Sequence, residues 1–325
     1  MKEKILILGI SSFAGSTFAR FILKQNYFVY GTYLTNKAIF SDIKKNKKLK
    51  LIKINLEKNK NGLLKIAKKI QPSLIVDFSS ICMVNESWLY PEKYININCI
   101  SKISLIKNID SIKKLKKFIY ISTPEVFGET DKPLRENLKD FNPSTPYASS
   151  KLFIENLIRN YQQFKKKKFI IARFSNFYGP RQPSYRLIPK LILSINKNIK
   201  FPVHGNGKSK RNYIFSEDFS KGIFKIIKRG VTGSTYHFSS EKLYTVRQIV
   251  VEICKQMNVS VKDFTLFEKD RPGKDSIYKL DSKKTRKELN WKANISLKNG
   301  IHQVIKYINR NFHNLKNSKL EFKIN

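Results

Sequence analysis

The chain has 325 residues, 41% of them hydrophobic and 12% aromatic, which suits one large or two small domains with a real core. No apolar run reaches the roughly 18 residues that a membrane-spanning helix needs, so no membrane association is expected. The net charge of +40 comes from 64 Lys and Arg against 24 Asp and Glu, but the lysines are spread over the whole length and no nucleic-acid reading motif accompanies them, so no specific nucleic-acid partner is expected.

At the N-terminus, Lys2 and Lys4 followed by Ile5 to Ile10 imitate the start of a signal peptide. The apolar run is short and breaks into Gly9-Ile10-Ser11-Ser12 without a small-x-small cleavage site, so a buried first strand explains it better. Cys82, Cys99 and Cys254 sit in apolar contexts without metal-ligand spacing. Neither a disulfide framework nor a metal site is expected, and the location inferred is the cytoplasm.

Ile5 to Leu8 reads as a strand, Gly9-Ile10-Ser11-Ser12-Phe13-Ala14-Gly15 as a tight turn, and Ser16 to Gln25 as an amphipathic helix. That is the context of a dinucleotide fingerprint, in which a helix N-terminus offers free N–H groups to a pyrophosphate. Ser12 stands where the middle glycine of the motif would be. Strands follow at Tyr27 to Tyr33, Leu51 to Ile54, Leu74 to Phe78, Phe118 to Ser122 and Phe169 to Phe174. Helices are expected at Leu63 to Ile70, Ile95 to Ile106 and Tyr147 to Phe164. The alternation predicts a parallel sheet covered on both faces, an α/β Rossmann-type doubly wound architecture.

Thr145-Pro146-Tyr147-Ala148-Ser149-Ser150-Lys151 opens the last of these helices, with Thr145 as N-cap and Pro146 at the first helical position. Tyr147 and Lys151 are four apart and share a face. A neighbouring ammonium, an oxidised nicotinamide and the helix N-terminus would favour the phenolate, which a base for a sugar hydroxyl needs to be. Tyr-x-x-x-Lys alone is a weak signal, because both residues are common here. Upstream, the fifth strand runs into Ser122-Thr123-Pro124-Glu125-Val126-Phe127-Gly128, which places Thr123 and Glu125 where ligands of a parallel sheet gather. A carboxylate there can remove a carbon-bound proton next to a carbonyl.

From Lys4 to about Ile305 the chain resembles the extended short-chain dehydrogenase/reductase family, in its NAD-dependent epimerase/dehydratase branch. Within that branch it resembles the nucleotide-sugar 4,6-dehydratases of dTDP-glucose and GDP-mannose. The resemblance rests on Gly9 to Gly15, Asp77-Phe78-Ser79-Ser80, Asn98, Ser122 to Gly128, Tyr147 to Lys151 and Ser175-Asn176-Phe177-Tyr178-Gly179-Pro180. It continues through Arg186-Leu187-Ile188-Pro189, His204-Gly205-Asn206-Gly207, Arg211, Glu217-Asp218 and Asp270-Arg271-Pro272-Gly273-Lys274-Asp275.

The resemblance implies that Tyr147 is the base for the sugar hydroxyl, Lys151 orients the nicotinamide ribose, Thr123 binds the reacting hydroxyl and Glu125 takes the C5 proton. It implies cofactor contacts from Gly9, Ser12, Phe13, Ala14, Gly15, Thr32, Asn55, Phe78, Ser79, Ser80 and Asn98. Asn176, Arg211 and Arg271 would hold the nucleotide and diphosphate of the substrate, with Arg186, Leu187 and His204 completing that side; a guanidinium suits phosphate through paired, charged hydrogen bonds.

Two departures matter. Where dTDP-glucose enzymes carry an Asp between the Thr and Glu, this chain has Pro124, which cannot donate a proton to the leaving C6 hydroxyl. Either Glu125 is both base and acid, as the Thr-Ser-Glu of GDP-mannose dehydratases suggests, or the reaction differs. Gly31-Thr32-Tyr33-Leu34-Thr35-Asn36-Lys37 lacks the acid that would bind a ribose 2′-hydroxyl, which tilts the expected NAD(P) cofactor towards NADP. Asn55 also stands where many relatives have Asp.

Chain order suggests a cofactor domain of residues 1–174 and 211–242, with the helix Glu217 to Lys228 and the strand Tyr236 to Phe238. A smaller, discontinuous α/β substrate domain would comprise 175–210 and 243–310, packed by helices Val246 to Met257 and Ser282 to Leu289 with Trp291. Residues 311–325 read as a polar, frayed tail. The expected reaction is oxidation at C4, elimination of water across C5 and C6, and hydride return to C6. A 4-epimerase or decarboxylase is the alternative, and a non-catalytic nucleotide-binding regulator the reading from another class. The expected partners are a nucleotide-diphosphate sugar and, through the two helices with apolar residues on several faces, a second copy of the chain.

Overall fold

The computed structural model describes residues 3–35, 38–164, 168–269 and 275–322. Strand β1 (Glu3–Leu8) is followed by helix α1 (Phe13–Ile22), β2 (Tyr27–Tyr33), β3 (Leu49–Lys53), α2 (Gly62–Ile70) and β4 (Leu74–Asp77). Then come α3 (Val84–Leu89), α4 (Pro91–Ile95), a π-turn at Asn96–Ile100 and α5 (Ser101–Lys107). β5 (Lys117–Ser122) leads into a 3₁₀ turn (Pro124–Phe127), β6 (Pro133–Leu134), α6 (Pro146–Phe164) and β7 (Phe169–Phe174).

Seven parallel strands form the main sheet, in the order β3-β2-β1-β4-β5-β7 with β11 (Thr235–Phe238) on the far edge. The order reverses beside β1, so a crevice opens at the carboxyl ends of β1 and β4. The central strands are apolar on both sides because both sides are covered. Ile5, Ile7, Phe18, Val29, Val76 and Phe219 fill one face, and Leu6, Leu8, Leu63, Ile75, Ile106 and Ile154 the other. The doubly wound architecture expected from the alternation is therefore the one observed.

The remaining elements are β8 (Asn176–Tyr178), α7 (Leu187–Asn196), β9 (Phe201–His204), β10 (Lys210–Phe215) and α8 (Ser216–Arg229). They continue with β12 (Leu243–Thr245), α9 (Val246–Gln256), α10 (Val261–Phe264), β13 (Thr265–Glu268), β14 (Lys279–Leu280), α11 (Lys283–Leu289) and α12 (Leu297–Arg310). β10 lies between β8 and β12 in a small sheet of its own, while α8 and β11 return to the large sheet. A third core, with Leu191, Ile192, Ile249, Ile253, Ile301 and Val304, joins α7, α9 and α12.

Two local expectations are revised. The helix expected at Ile95 to Ile106 begins at Pro91 and is interrupted by the π-turn. Residues 312–322 are not frayed: Leu315 and Leu320 pack on the third core, Phe322 meets Tyr185 with ring centroids 5.0 Å apart, and Ser184 Oγ donates to the Lys319 carbonyl at 2.6 Å. Its lysines hide a few apolar residues, Phe312, Leu315 and Leu320, that meet the core. Among the described residues no helix is long and apolar enough to cross a membrane, and no group of three or more His, Cys, Asp or Glu could hold a metal.

α6 is fixed to the sheet by a buried ion network. Arg173 of β7 is fully buried and its Nε donates to Glu155 Oε1 at 2.9 Å, while His237 of β11 sits 2.9 Å from Arg173 Nη1. Burial and Arg173 hold His237 well below its ordinary pKa, so it is neutral here. Arg159 closes the network on Glu155 Oε2 at 2.5 Å.

Candidate active site

The turn after β1 has no spare room. Gly9 has φ +77°, and a Cβ there would lie 2.8 Å from Ser79 Cα. At Gly15 a Cβ would lie 2.3 Å from the Gly9 carbonyl oxygen, so helix and strand approach as only glycine allows. Ser12, where the middle glycine would stand, caps α1: its Oγ accepts from Gly15 N–H at 2.9 Å and donates to the Gly9 carbonyl at 2.8 Å. The N–H groups of Phe13 and Ala14 belong to the first turn and have no intrahelical partner. Thr32 Oγ1, at the end of β2, accepts from Gly9 N–H at 2.9 Å and so holds the turn from below. This cradle fits a pyrophosphate.

Around it, the expected cofactor residues divide by what their side chains do. The Asn55 side-chain carbonyl closes an Asx turn on the Glu57 N–H at 3.0 Å. Phe78 is turned into the core, its ring 5.9 Å from that of Phe18 and 6.2 Å from that of Phe219. Asn98 is fully buried: it exchanges hydrogen bonds with both backbone groups of Ile81 and donates to Ser150 Oγ at 3.0 Å. Asn98 thus ties the loop after β4 to α6, a bracing position rather than an open one.

At the mouth of β5, Thr123 caps the 3₁₀ turn and its Oγ1 donates to Glu125 Oε2 at 3.0 Å. Burial raises the Glu125 carboxyl above the usual carboxylate range; the Thr123 bond and the Arg211 and Arg186 charges oppose that, and Asp275 adds to it. Tyr147 is 8% exposed. Its phenol is pushed well up, first by burial and then by Glu125 and Cys82, against Arg186 and a hydrogen bond with Thr123. The phenolate expected from a neighbouring Lys151 is therefore not favoured by the protein groups alone. Burial is the first cause, and Lys151 is engaged elsewhere: its ammonium donates to the Ile121 carbonyl at 2.7 Å and to Ser80 Oγ at 3.1 Å, and lies 4.2 Å above the Tyr120 ring. Burial, then Lys102, lower Lys151 to about 8, against Asp77 and Glu155.

Among the residues expected to bind substrate, Arg186 sits at the N-cap position of α7, just before Leu187, and its Nη2 donates to Cys82 Sγ at 3.1 Å. Its charge acts on both Tyr147 and Glu125. Arg211 is 8% exposed and lies flat on the Tyr278 ring at 4.2 Å, with Nη1 donating to the Ser276 carbonyl at 3.0 Å. Asn176 is exposed and accepts from Tyr278 Oη at 3.1 Å. His204 sits with Glu268 of β13 at 3.1 Å. Arg271 lies outside the described residues. Thr123, Glu125, Tyr147, Arg186 and Arg211 are thus electrostatic neighbours at the carboxyl end of the sheet.

Sequence reasoning missed Tyr278 and Lys102, gave Cys82 no part in the site, and quoted Asp275 only as part of a motif. Cys82 follows the Asp77-Phe78-Ser79-Ser80 run within two residues, and Tyr278 follows the Asp270 to Asp275 motif within three; proximity to those motifs was the available signal.

Residues 6–304 match the model of the GDP-mannose 4,6 dehydratase family. The chain is 26% identical over 328 residues to dTDP-glucose 4,6-dehydratase of Haemophilus influenzae, with 93% of this chain and 97% of the relative covered. A crystal structure of dTDP-glucose 4,6-dehydratase from Bacillus anthracis in complex with NAD superposes with a TM-score of 0.85 at 22% identity, covering 96% of this chain and 98% of that one. UDP-glucuronic acid 4-epimerase from Bacillus cereus, in complex with UDP-glucuronic acid and NAD, gives 0.84 at 24% identity, covering 94% and 99%. At those identities the two structures speak for the fold alone. The family match over nearly the whole chain says more: this protein is an enzyme of the GDP-mannose 4,6 dehydratase family, within the NAD-dependent epimerase/dehydratase branch of the extended short-chain dehydrogenases/reductases.

Proposed function

We propose that the protein is a nucleotide-sugar 4,6-dehydratase. The observation that carries this reading is the Glu125 carboxylate, hydrogen-bonded to Thr123 at 3.0 Å and electrostatically coupled to Tyr147, at the carboxyl end of the sheet. A simple oxidoreductase or epimerase has no use for a second base there. Residues 1–174 with 211–242 are assigned to the cofactor and 175–210 with 243–310 to the sugar nucleotide, although 211–215 belong to the small sheet.

The glycine turn, Ser12, Phe13, Ala14 and Ser80 with Lys151 would hold a nicotinamide dinucleotide, which when bound supplies a two-electron oxidant regenerated within each turnover. As a phenolate, Tyr147 takes the proton of the sugar C4 hydroxyl, Thr123 Oγ1 fixes that hydroxyl, and the C4 hydride would be taken up by the bound dinucleotide. Glu125 takes the proton at C5, made acidic by the C4 carbonyl. Protonated Glu125, because Pro124 has no proton to give, then gives the proton to the C6 hydroxyl, which leaves as water; the hydride would return to C6, and C5 regains a proton from solvent by way of Glu125. Arg211, Asn176 and Arg186 bind the nucleotide diphosphate, with Arg271, Leu187 and His204 as further contacts. The NADP lean rests on the missing acid after β2 alone; the solved relatives hold NAD.

Pro124 also favours a second reading, a 4-epimerase or decarboxylase, since it removes the acid that elimination uses elsewhere. Incubation with a panel of nucleotide hexoses and nucleotide hexuronates separates the readings. A product lighter by one water, with NAD or NADP as the sole added cofactor, is the expected result. An isomer of unchanged mass or loss of carbon dioxide would replace the dehydratase.

A homodimer is also expected. Trp88 (55% exposed), Leu89 (71%), Ile95 (43%) and Phe153 (46%) put apolar side chains on α3, α4 and α6, the helices that would pack against their symmetry mates. Light scattering at micromolar concentration should give twice the 38.0 kDa chain mass, and Phe153→Glu should halve it; a native monomer would contradict the assignment.

A further inference from the structure

One buried charge pair has no place in the chemistry above. Lys102 of α5 is 1% exposed, and its ammonium lies 3.8 Å from Asp77 Oδ2 at the end of β4. Lys102 Nζ donates to the Ser79 carbonyl at 2.6 Å and the Ile97 carbonyl at 3.2 Å. Asp77 Oδ1 accepts from Ser79 N–H at 2.8 Å and from Ser79 Oγ at 2.5 Å. Three polar groups of Ser79 are thus held by the pair. Among the described residues Asp77 Oδ2 accepts no hydrogen bond; its partner is the ammonium.

The segment so held sits between two parts of the site. On one side Ser79 packs against Gly9 of the dinucleotide turn, so closely that no Cβ fits. On the other side Ser80 Oγ accepts from Lys151 Nζ at 3.1 Å. The π-turn at Asn96–Ile100 aims Lys102 inward just after it, a backbone irregularity that often marks functional positions. A buried ion pair contributes little net stability, because desolvation offsets its attraction, so stability alone does not account for it.

We propose that Lys102 and Asp77 are positioning residues: their ion pair fixes Ser79 and Ser80 between the dinucleotide turn and Lys151 and sets the local field in which Lys151 and Tyr147 work. This rests on the roles assigned to Tyr147 and Lys151 under the proposed function. Lys151 is faced by Asp77 from β4, Lys102 from α5, Cys82 from the following loop, Tyr120 from β5 and Glu155 from its own helix, with Cys99 acted on by the same two ammonium groups. Within that set Lys102 and Asp77 act in opposite directions on Lys151.

The opposition gives the test. Lys102→Gln removes a positive charge beside Lys151, so Lys151 should titrate at higher pH; Asp77→Asn removes a negative one, so it should titrate lower. Each shift should be on the order of one pH unit, and the double variant and Lys102→Arg should return close to the native value. The titration is read by NMR of the protein carrying ¹³C-labelled lysine, with the Lys151 signal assigned by its loss in Lys151→Met. The rising limb of the pH–activity profile should move the same way. Shifts in one common direction, or none in folded single variants, would overturn the proposal. Should the singles not fold, a shifted titration in the double variant or in Lys102→Arg would do so, and native-like values would support it. The NMR reading needs no substrate, so absence of dehydratase activity would count against the proposed function and leave this inference standing or falling separately.

Discussion

Tyr147→Phe is expected to abolish most of the first oxidation, by about 100- to 10,000-fold, the range typical of a lost general base. The ring stays, so its edge-on packing against Tyr94, at 6.4 Å between centroids, is kept. Cofactor affinity and KM should change little, which separates a lost proton acceptor from a damaged site. The pH profile carries a second signature. A base works only when deprotonated, and burial with the Glu125 charge raises the Tyr147 phenol. Activity of the native enzyme should therefore climb towards alkaline pH, and that limb should vanish in the Phe variant. Single-turnover oxidation followed across pH checks both points. A Phe variant within about threefold of native would leave Tyr147 without the role of base.

What could be read from the sequence, and what could not, follows from how local each signal is. Gly9 and Gly15 were only partly legible, because two glycines after a strand are common in any strand-helix turn; the missing Cβ room is what shows that both places require glycine. Tyr147 and Lys151 were legible as an i, i+4 pair behind a proline at the helix start. The direction of the Lys151 amine was not, because it depends on the Ile121 carbonyl and Ser80, which come from two other strand ends. Asn98 was recognised as special, but its brace to Ile81 and Ser150 is a tertiary contact invisible in one segment. Lys102 was hidden by composition: in a chain this rich in lysine, one more reads as surface. A signal existed, since Lys102 falls on the same helical stripe as Asn98, Leu105 and Ile106, all buried. The docking of 312–322 was missed for the same reason, as its few apolar residues lie among lysines and asparagines.

Glu125→Gln should separate the two halves of the reaction. The amide has nearly the shape of the carboxylate and can still meet the Thr123 hydroxyl, so the sugar should bind and its C4 hydroxyl should still lose its proton to Tyr147. Removal of the C5 proton should fail, because a carboxamide is no base. Elimination should fall by about 100- to 10,000-fold while C4 oxidation persists, so absorbance at ~340 nm from reduced nicotinamide should build up and stay. In the proposed mechanism Glu125 also returns the proton to the leaving hydroxyl, since Pro124 cannot, so one substitution should remove both acid and base. Stability is not the expected casualty. Burial raises the folded-state carboxyl above its unfolded value, so its contribution to stability is complete below the unfolded pKa and is lost as pH rises through the folded one. At neutral pH the neutral amide should therefore fold at least as well. The same raised pKa means that elimination by the native enzyme should weaken as acid protonates Glu125, at a pH above that of an ordinary glutamate. Run in deuterium oxide, the native reaction should place solvent deuterium at C5. Native turnover by Glu125→Gln, with no deuterium at C5, would remove Glu125 as the base and make the 4-epimerase the better reading.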